Sequence, residues 1–503
     1  MSEKKRLHPV AMLLSLIRHV KEAALPLLFF VFVGGGNGYS WWHFLAIGAL
    51  VIFTIGNGIL GWFFYTYHVK NKELRIHEGF IFRKKRFIPS ERVQSIDFSQ
   101  GIIQRLLGLV KVQIETAGGG GEPEVVMSAL RRADAEELRS ELYEKRKNEK
   151  DETFEIIEEA EQLQYQLSWR DLLIAASTSG GIGVVISFLA AIGSQVENLI
   201  PDEFYQSVTE RVMDATLTYV LLAVALVLLI SWFFSVLGTV FKYGGFILSR
   251  VDDDLIINRG IIEKRQLTIP VHRIQAIRIV EGVLRQPLGY STLYVESSGG
   301  GRKEEQFSTI LFPLIKRNKV RDLLGEILPE VSIHEECTSL PVRARRRYLF
   351  RFMVPAILPV GLLTYFLPYG AFSFLLLPIA GVIGYLHYRD AGWGVKEGVA
   401  LLQFRHIGRT RVYVARNHIQ SMEMDTTLLQ KPRQLTTFKV SILSSLAGKQ
   451  FRVRDLEQDS GDALMNWYSY RNDNNNSKVN DDGVRVQDWI SDFNRSSKKK
   501  TSD

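Results

Sequence analysis

Three residue pairs in this chain have the types and spacing to do chemistry: Arg92 with Gln94, Arg273 with Gln275, and His418 with Gln420. An arginine fork can clamp a carbonyl or a carboxylate, and a glutamine amide can pair an orphaned backbone group. Each pair lies inside a longer copied stretch. IPSERVQSIDFSQGIIQRLLG runs over 88–108 and IPVHRIQAIRIVEGVLRQPLG over 269–289, and eight of their 21 positions are identical. VARNHIQSMEMDTTLLQKPRQ, over 414–434, is a third and degenerate copy. It keeps Ile419, Gln420, Leu429 and Pro432, but has His418, Thr427, Arg405 and Gln434 where the second copy has Arg273, Gly282, Gly260 and Gly289.

Within each copy the apolar positions are Val93, Ile96 and Phe98, then Ile274, Ile277 and Ile279, then Ile419, Met422 and Met424. A spacing of three and then two breaks strand parity once, as a bulge or a turn entering the strand would. Two readings of the polar pairs stay open. They shape that break, or Arg92 and Arg273 touch a ligand.

Other chemistry is sparse. Arg83, Lys84, Lys85 and Arg86 form a basic run inside the first repeat, just before its copied stretch, and are candidates for lipid-headgroup contact. Lys264–Arg265 and Arg409–Arg411 are similar, whereas Arg343, Arg345, Arg346 and Arg347 read as the positive flank of a membrane crossing. The glycine runs at 118–121 and 299–301 have no following GKS or GKT and join strands, so they read as turns, not phosphate loops. The ten histidines are scattered, Asp252–Asp254 lack the rest of a calcium loop, and the single cysteine, Cys337, allows neither a disulfide nor a zinc cluster. No catalytic residue, metal or cofactor is expected, and no enzymatic activity.

The elements that carry these residues follow from the apolar pattern. The chain has 503 residues and a formal net charge of +8. Residues 44–65, 172–193 and 216–238 contain no Lys, Arg, Asp or Glu, and each meets the ~20 residues needed to cross a bilayer core. Weaker candidates at 24–40, 349–367 and 371–388 complete three pairs. The loops between paired crossings, 41–43, 194–215 and 368–370, hold one Lys/Arg residue, Arg211. Lys and Arg mark the cytoplasmic side, so both termini and the long segments are expected there. Residues 9–22 fit a helix lying on the membrane surface, or the start of a longer first crossing.

Each copied stretch follows a pair of crossings. Alternating segments around Leu74, Ile76, Leu255 and Ile257 read as strands turning at Gly79 and Gly260, where positive φ is cheap. LVKVQIETA, YSTLYVESS, VVMSAL and FSTILF are further strands, and 131–147 and 314–327 read as helices. The fold class is membrane α plus β: three repeats of a helical hairpin followed by a small barrel or bent sandwich with a C-terminal helix. The expected segments are 1–65 (interfacial helix and first hairpin), 66–148 (first domain), 149–170 (acidic linker), 171–238 (second hairpin), 239–330 (second domain), 331–347 (linker), 348–388 (third hairpin), 389–470 (third domain) and 471–503 (a polar, disordered tail with a possible docking helix at 484–493).

This layout, with its GxIxxxxxxIPxxRIQ…LG…GG pattern, resembles the bacterial pleckstrin-homology (PH) domain family of YdbS-like membrane proteins. The three-repeat arrangement is similar to its YdbT-type members. The resemblance implies a PH-like barrel of two bent sheets capped by a helix, no catalysis, and a protein partner such as a shorter single-repeat YdbS-like relative. The function expected is a non-catalytic multi-pass protein of the cell membrane that scaffolds protein assembly at the inner face. The alternative is binding or handling of membrane lipids; transport fits less well, because the three clear spans lack ionisable groups. Membrane lipids are expected partners and nucleic acid is not.

Overall fold

The computed structural model describes residues 4–17, 41–80, 82–116, 123–143, 163–179, 187, 217–298, 308–366, 370–444 and 448–469. The expected first crossing over 24–40, most of the third over 172–193, the loop 194–215, both glycine runs, the acidic stretch 149–161 and the tail from 471 lie outside the described residues.

The three repeats share one order of elements. The first comprises β1 (Lys5–Arg6), α1 (residues 10–17), α2 (Trp41–Phe63), β2 (Thr66–Lys70), β3 (Glu73–Glu78), β4 (Lys84–Pro89), β5 (Val93–Gln100), a short α3 (Ile102–Leu106), β6 (Leu109–Thr116), β7 (Val125–Arg131) and α4 (Arg132–Tyr143). The second comprises β8 (Gln164–Gln166), α5 (Trp169–Ser177), α6 (Leu217–Tyr243), β9 (Ile247–Val251), β10 (Asp254–Arg259), β11 (Lys264–Pro270), β12 (Ile274–Glu281), β13 (Tyr290–Ser297), β14 (Thr309–Lys316) and α7 (Val320–Ile327). The third comprises β15 (Thr338–Ser339), α8 (Val342–Phe366), α9 (Leu376–Arg389), β16 (Gly392–Lys396), β17 (Val399–Arg405), β18 (Arg409–Ala415), β19 (Ile419–Asp425), β20 (Leu435–Ile442), β21 (Lys449–Glu457) and α10 (Gln458–Ser469). The helix expected from 314 starts later, because β14 runs on to Lys316.

Among the described residues three helical segments are long and apolar enough to cross a membrane: Val224–Tyr243, Val342–Phe366 and Gly370–Arg389. α8 and α9 pack side by side, with Gly384 of α9 against the backbone of Tyr348 and Leu349. A small residue at such a crossing lets two helices approach closely. α1 meets α2 in the same way, with Ser15 and Leu16 against Gly58.

Among the described residues the sheets do not close into barrels. Strands β7-β6-β5-β11-β10-β9-β8 form one seven-stranded antiparallel sheet, and β14-β13-β12-β18-β17-β16-β15 form another. Each repeat therefore contributes its second three-stranded sheet to the first sheet of the next repeat. The joints have defined registers: Gln100 faces Lys264 in one, and Glu281 faces Arg409 in the other. The chain ends carry the unmatched halves, the sheet β1-β2-β3-β4 and the sheet β19-β20-β21. Before each helix pair a short strand, β1, β8 or β15, returns to cover the outer edge of β2, β9 or β16.

Two compact units result, and the division cuts the second repeat. One unit holds the first repeat with β8–β11; the other holds β12–β14 with the third repeat. In the first, Leu74 and Ile76 of β3, Ile96 of β5, Ile114 of β6, Met127 of β7 and Leu138 of α4 share a core. In the second, Tyr348 of α8, Leu402 of β17, Val414 of β18, Phe438 of β20 and Leu464 of α10 do so.

Ion pairs fasten α8 to the third repeat's last strand. Arg347 Nε and Arg351 Nη2 each lie 2.8 Å from the fully buried carboxylate of Asp455, and Arg343 Nη2 lies 2.8 Å from Glu457. The three arginines are four residues apart and so share one helix face. Arg343 and Arg347, expected to act only as flanking charge, are thus clamps, whereas Arg345 and Arg346 are exposed.

Gly79 and Gly260 have φ of +92° and +103° at their hairpins. A Cβ on Gly260 would stand 2.0 Å from the Glu263 carbonyl oxygen. At the corner before the second strand of each repeat's second half, Gly108 and Gly289 have φ of +64° and +72°, and Gln434 adopts +49° without being glycine. Gly260→Val should therefore destabilise the full chain by more than about 2 kcal/mol, while Gln434→Gly should stabilise it by ~0.5–1 kcal/mol. Thermal unfolding of the purified full chain in detergent measures both, and shifts of the same sign would refute the backbone argument. An isolated 242–330 segment is unsuitable because β11 takes its neighbour β5 from the first repeat.

Candidate functional site at the helix ends

The copied motif is the corner at which the chain leaves one sheet for the next. Strand β4, β11 or β18 ends, a 3-10 turn follows (Ser90–Arg92, Val271–Arg273, Arg416–His418), and β5, β12 or β19 begins. The register then shifts once, between Val93 and Ser95, Ile274 and Ala276, and Ile419 and Ser421. The skipped residue is Gln94, Gln275 or Gln420. Gln275 Nε2 donates to the Arg273 carbonyl at 3.2 Å and to Ser298 Oγ at 3.4 Å, and the Ser298 amide donates to that same carbonyl at 3.0 Å. Here the glutamine closes the bulge. Arg92 and Gln420 are exposed, while Arg273 and His418 are half-buried. Burial pushes the His418 pKa down, which favours the neutral ring near pH 7. Each pair lies at its own repeat's corner.

A second arrangement was not singled out by sequence reasoning: two apolar loops per repeat, most of them tied to helix ends. The first is the hairpin after β3, β10 or β17. Its tip carries Phe82 (82% exposed), Ile262 (40%) or Ile407 (82%). Phe80 packs on Phe64 just beyond α2, with ring centroids 5.0 Å apart. The Ile261 amide donates to the Phe241 carbonyl of α6 at 3.0 Å, and the Arg405 Nε donates to Asp390 at the end of α9 at 2.6 Å. In the first repeat Arg83, Lys84 and Lys85 stand exposed beside Phe82. Arg86, the fourth headgroup candidate, is instead held by Glu78 at 3.1 Å and by the Glu124 carbonyl.

The second loop follows β5, β12 or β19. It exposes Ile102, Leu106 and Leu107, then Val283, Leu284 and Leu288, then Leu428 and Leu429. Arg285 from this loop donates to the Ala175 carbonyl and to Thr178 Oγ1, both at 2.9 Å, at the end of α5. Arg347 of α8 donates to the Leu429 carbonyl at 2.6 Å. Burying one such side chain is worth about 1.5–3 kcal/mol. Apolar tips gathered at the ends of crossing helices, with lysine and arginine alongside, have the chemistry of a surface seated in the interfacial layer of a bilayer. The sequence signal was available: paired aliphatic residues at equivalent positions of all three copies, in a segment that is otherwise polar.

Two clefts add to this. One, of about 630 Å³, is lined by Phe98, Arg132, Arg139, Arg259, Lys264 and Arg265, with Glu136 the one acid among its lining residues. It opens next to Gly245, two residues after α6. The other, about 1180 Å³, is rich in acids: Asp322, Glu326, Glu335, Glu336 and Glu397. Among the described residues no three His, Cys, Asp or Glu side chains gather to hold a metal.

Comparison with known proteins agrees with this architecture. The Bacterial PH domain family matches residues 17–146, 199–331 and 351–472. The UPF0699 transmembrane protein YdbT of Bacillus subtilis (strain 168) is 38% identical over 489 residues, which cover 93% of this chain and 99% of that protein. With three matched segments that take in most of its length and coincide with its three structural repeats, the chain belongs to the bacterial PH domain family.

Proposed function

We propose that this membrane protein is a non-catalytic scaffold whose PH-like repeats assemble proteins at the inner face of the cell membrane. Three helical hairpins cross the bilayer, and both termini lie in the cytoplasm. The observation that carries the reading is the fusion of consecutive repeats through two seven-stranded sheets. Such a joint pairs a sheet of one repeat with a sheet of the next, which a chain of independently tethered ligand-binding modules would not need. The apolar loops support seating of these sheets at the bilayer surface. In-cell crosslinking of the tagged chain, followed by mass spectrometry, should recover the same few proteins in near-stoichiometric yield. Recovery of lipid alone would overturn the scaffold.

Topology is tested separately. In a Cys337→Ser background, a membrane-impermeant thiol reagent should label a cysteine placed near 205 from outside the cell, and should not label one at 300 or 475. External labelling at either of the last two positions would refute the orientation.

The basic cleft favours a second reading, recognition of an anionic lipid headgroup. Arg132 and Lys264 line it from the first repeat's helix and the second repeat's first sheet. If the cleft holds such a headgroup, phosphatidylglycerol should raise the thermal midpoint of the detergent-purified chain more than phosphatidylcholine does. Arg132→Glu with Lys264→Glu should abolish that difference, whereas Arg345→Glu with Arg346→Glu should leave it. An equal response of both double variants would remove the cleft from consideration.

A further inference from the structure

Both internal joints pair a strand from one repeat's second sheet with the last strand of the next repeat's first sheet. Among the described residues, β4 and β19 each lack a strand on the outer edge. They are the two unmatched halves of that same joint. β4 stands where β11 and β18 receive β5 and β12, and β19 stands where β5 and β12 receive them.

The register of the two joints is the same in equivalent residues. Gln100 faces Lys264 in one and Glu281 faces Arg409 in the other, and these positions correspond to residues 426 and 83 at the free edges. Carried over, that register sets Asp425 opposite Lys84, Met424 opposite Lys85, Glu423 opposite Arg86 and Met422 opposite Phe87. The charges are complementary. Opposed strands with opposite charges attract, and like charges would repel. Glu423 and Asp425 share Lys439 on the neighbouring strand, and Lys84 and Lys85 are exposed.

Burial makes the same point. Phe87 is 53% exposed, whereas its equivalents Thr268 and Tyr413, in strands that do have the neighbour, are 3% and 1% exposed. Charged residues and proline on an edge strand often guard against pairing. Here they do not decide the matter. β11 also begins with Lys264 and Arg265 and ends with Pro270, yet it pairs β5 through residues 264–266.

We infer that the chain assembles head to tail with further copies of itself, the β4 edge of one copy adding to the β19 edge of the next and continuing the alternation of fused sheets. The contact is heterologous, so it generates a ring or an open row in the membrane plane. Confinement to one membrane raises the effective concentration of the edges. This inference names the partner of the proposed scaffold and rests on that reading.

The test uses two differently tagged full-length copies in native membranes, both Cys337→Ser, one with Lys85→Cys and the other with Met424→Cys. Mild oxidation should join the two tags, with at least ten-fold less product when Glu423→Cys replaces Met424→Cys, because adjacent strand residues point to opposite faces. Lys84→Glu should cut the yield several-fold, and Asp425→Lys on the other copy should restore it. A single chain with Phe98→Cys and Gln266→Cys, which face each other across an internal joint, reports that the fold and the oxidation are intact. With that control positive, absence of a product joining the tags overturns the proposal. A bridge formed only within one chain carrying both Lys85→Cys and Met424→Cys overturns it too. If the tags fail to join while other proteins are still captured, the scaffold stands without self-assembly. If they join while no other protein is captured, only the wider scaffold reading falls.

Discussion

A strand edge is a row of backbone donors and acceptors, and it must be paired, covered or guarded. That requirement organises this molecule. A three-stranded sheet has two edges, and each repeat has two such sheets. The capping strands β1, β8 and β15 close one edge of the first sheet. The other edge is closed by the preceding repeat, through β5 on β11 and β12 on β18. Closing the sheets into separate barrels would have satisfied the same groups within one repeat. Pairing across repeats satisfies them while making each repeat depend on its neighbour, which is why the compact units divide inside the second repeat and not between repeats.

Side chains reinforce the second joint. Glu281 is 3% exposed and takes Arg409, its cross-strand partner, as well as Arg411 at 3.0 Å. Lys449 of β21 reaches Glu296 of β13 at 2.8 Å, and Arg278 lies 3.2 Å away. Burial pushes the Glu296 pKa up and the Lys449 pKa down, so each group leans on its partner to remain charged. A buried ion pair contributes little net stability against an apolar one, but it penalises any register that separates the partners. At a joint between similar repeats, register is what has to be specified.

Much of this was legible in the sequence. The offset of the copies gave three repeats, Gly79 and Gly260 gave the hairpins, and the broken apolar spacing after Arg92 and Arg273 predicted the turn and bulge that the structure has. Pairing between strands was not legible. Alternation tells which face of β11 is buried, but nothing local says whether its free edge meets its own repeat or the one before. The capping strands were also invisible, since Lys5–Arg6 and Thr338–Ser339 have two residues each and no apolar pattern. The role of Arg343 and Arg347 was hidden for another reason. A positive flank and an ion-pair clamp use the same residues, and only Glu457 and the buried Asp455, each more than a hundred residues away, distinguish them.

The third copy shows how far sequence can drift while geometry stays fixed. His418 ends the same 3-10 turn as Arg92 and Arg273, and Gln434 keeps the left-handed corner that glycine holds elsewhere. Arg405 replaces a hairpin glycine, and the hairpin then fastens to the helix end through the buried Arg405–Asp390 pair, where the second repeat uses a backbone hydrogen bond to α6. This repeat is also the one whose second sheet has no following repeat to lean on. Its losses in the motif coincide with gains in anchoring: Arg405 to Asp390, Arg347 and Arg351 to Asp455, and Lys449 to Glu296. In this repeat the corners keep their geometry while side-chain ion pairs tie its strands to α8, to the end of α9 and to β13 of the preceding repeat.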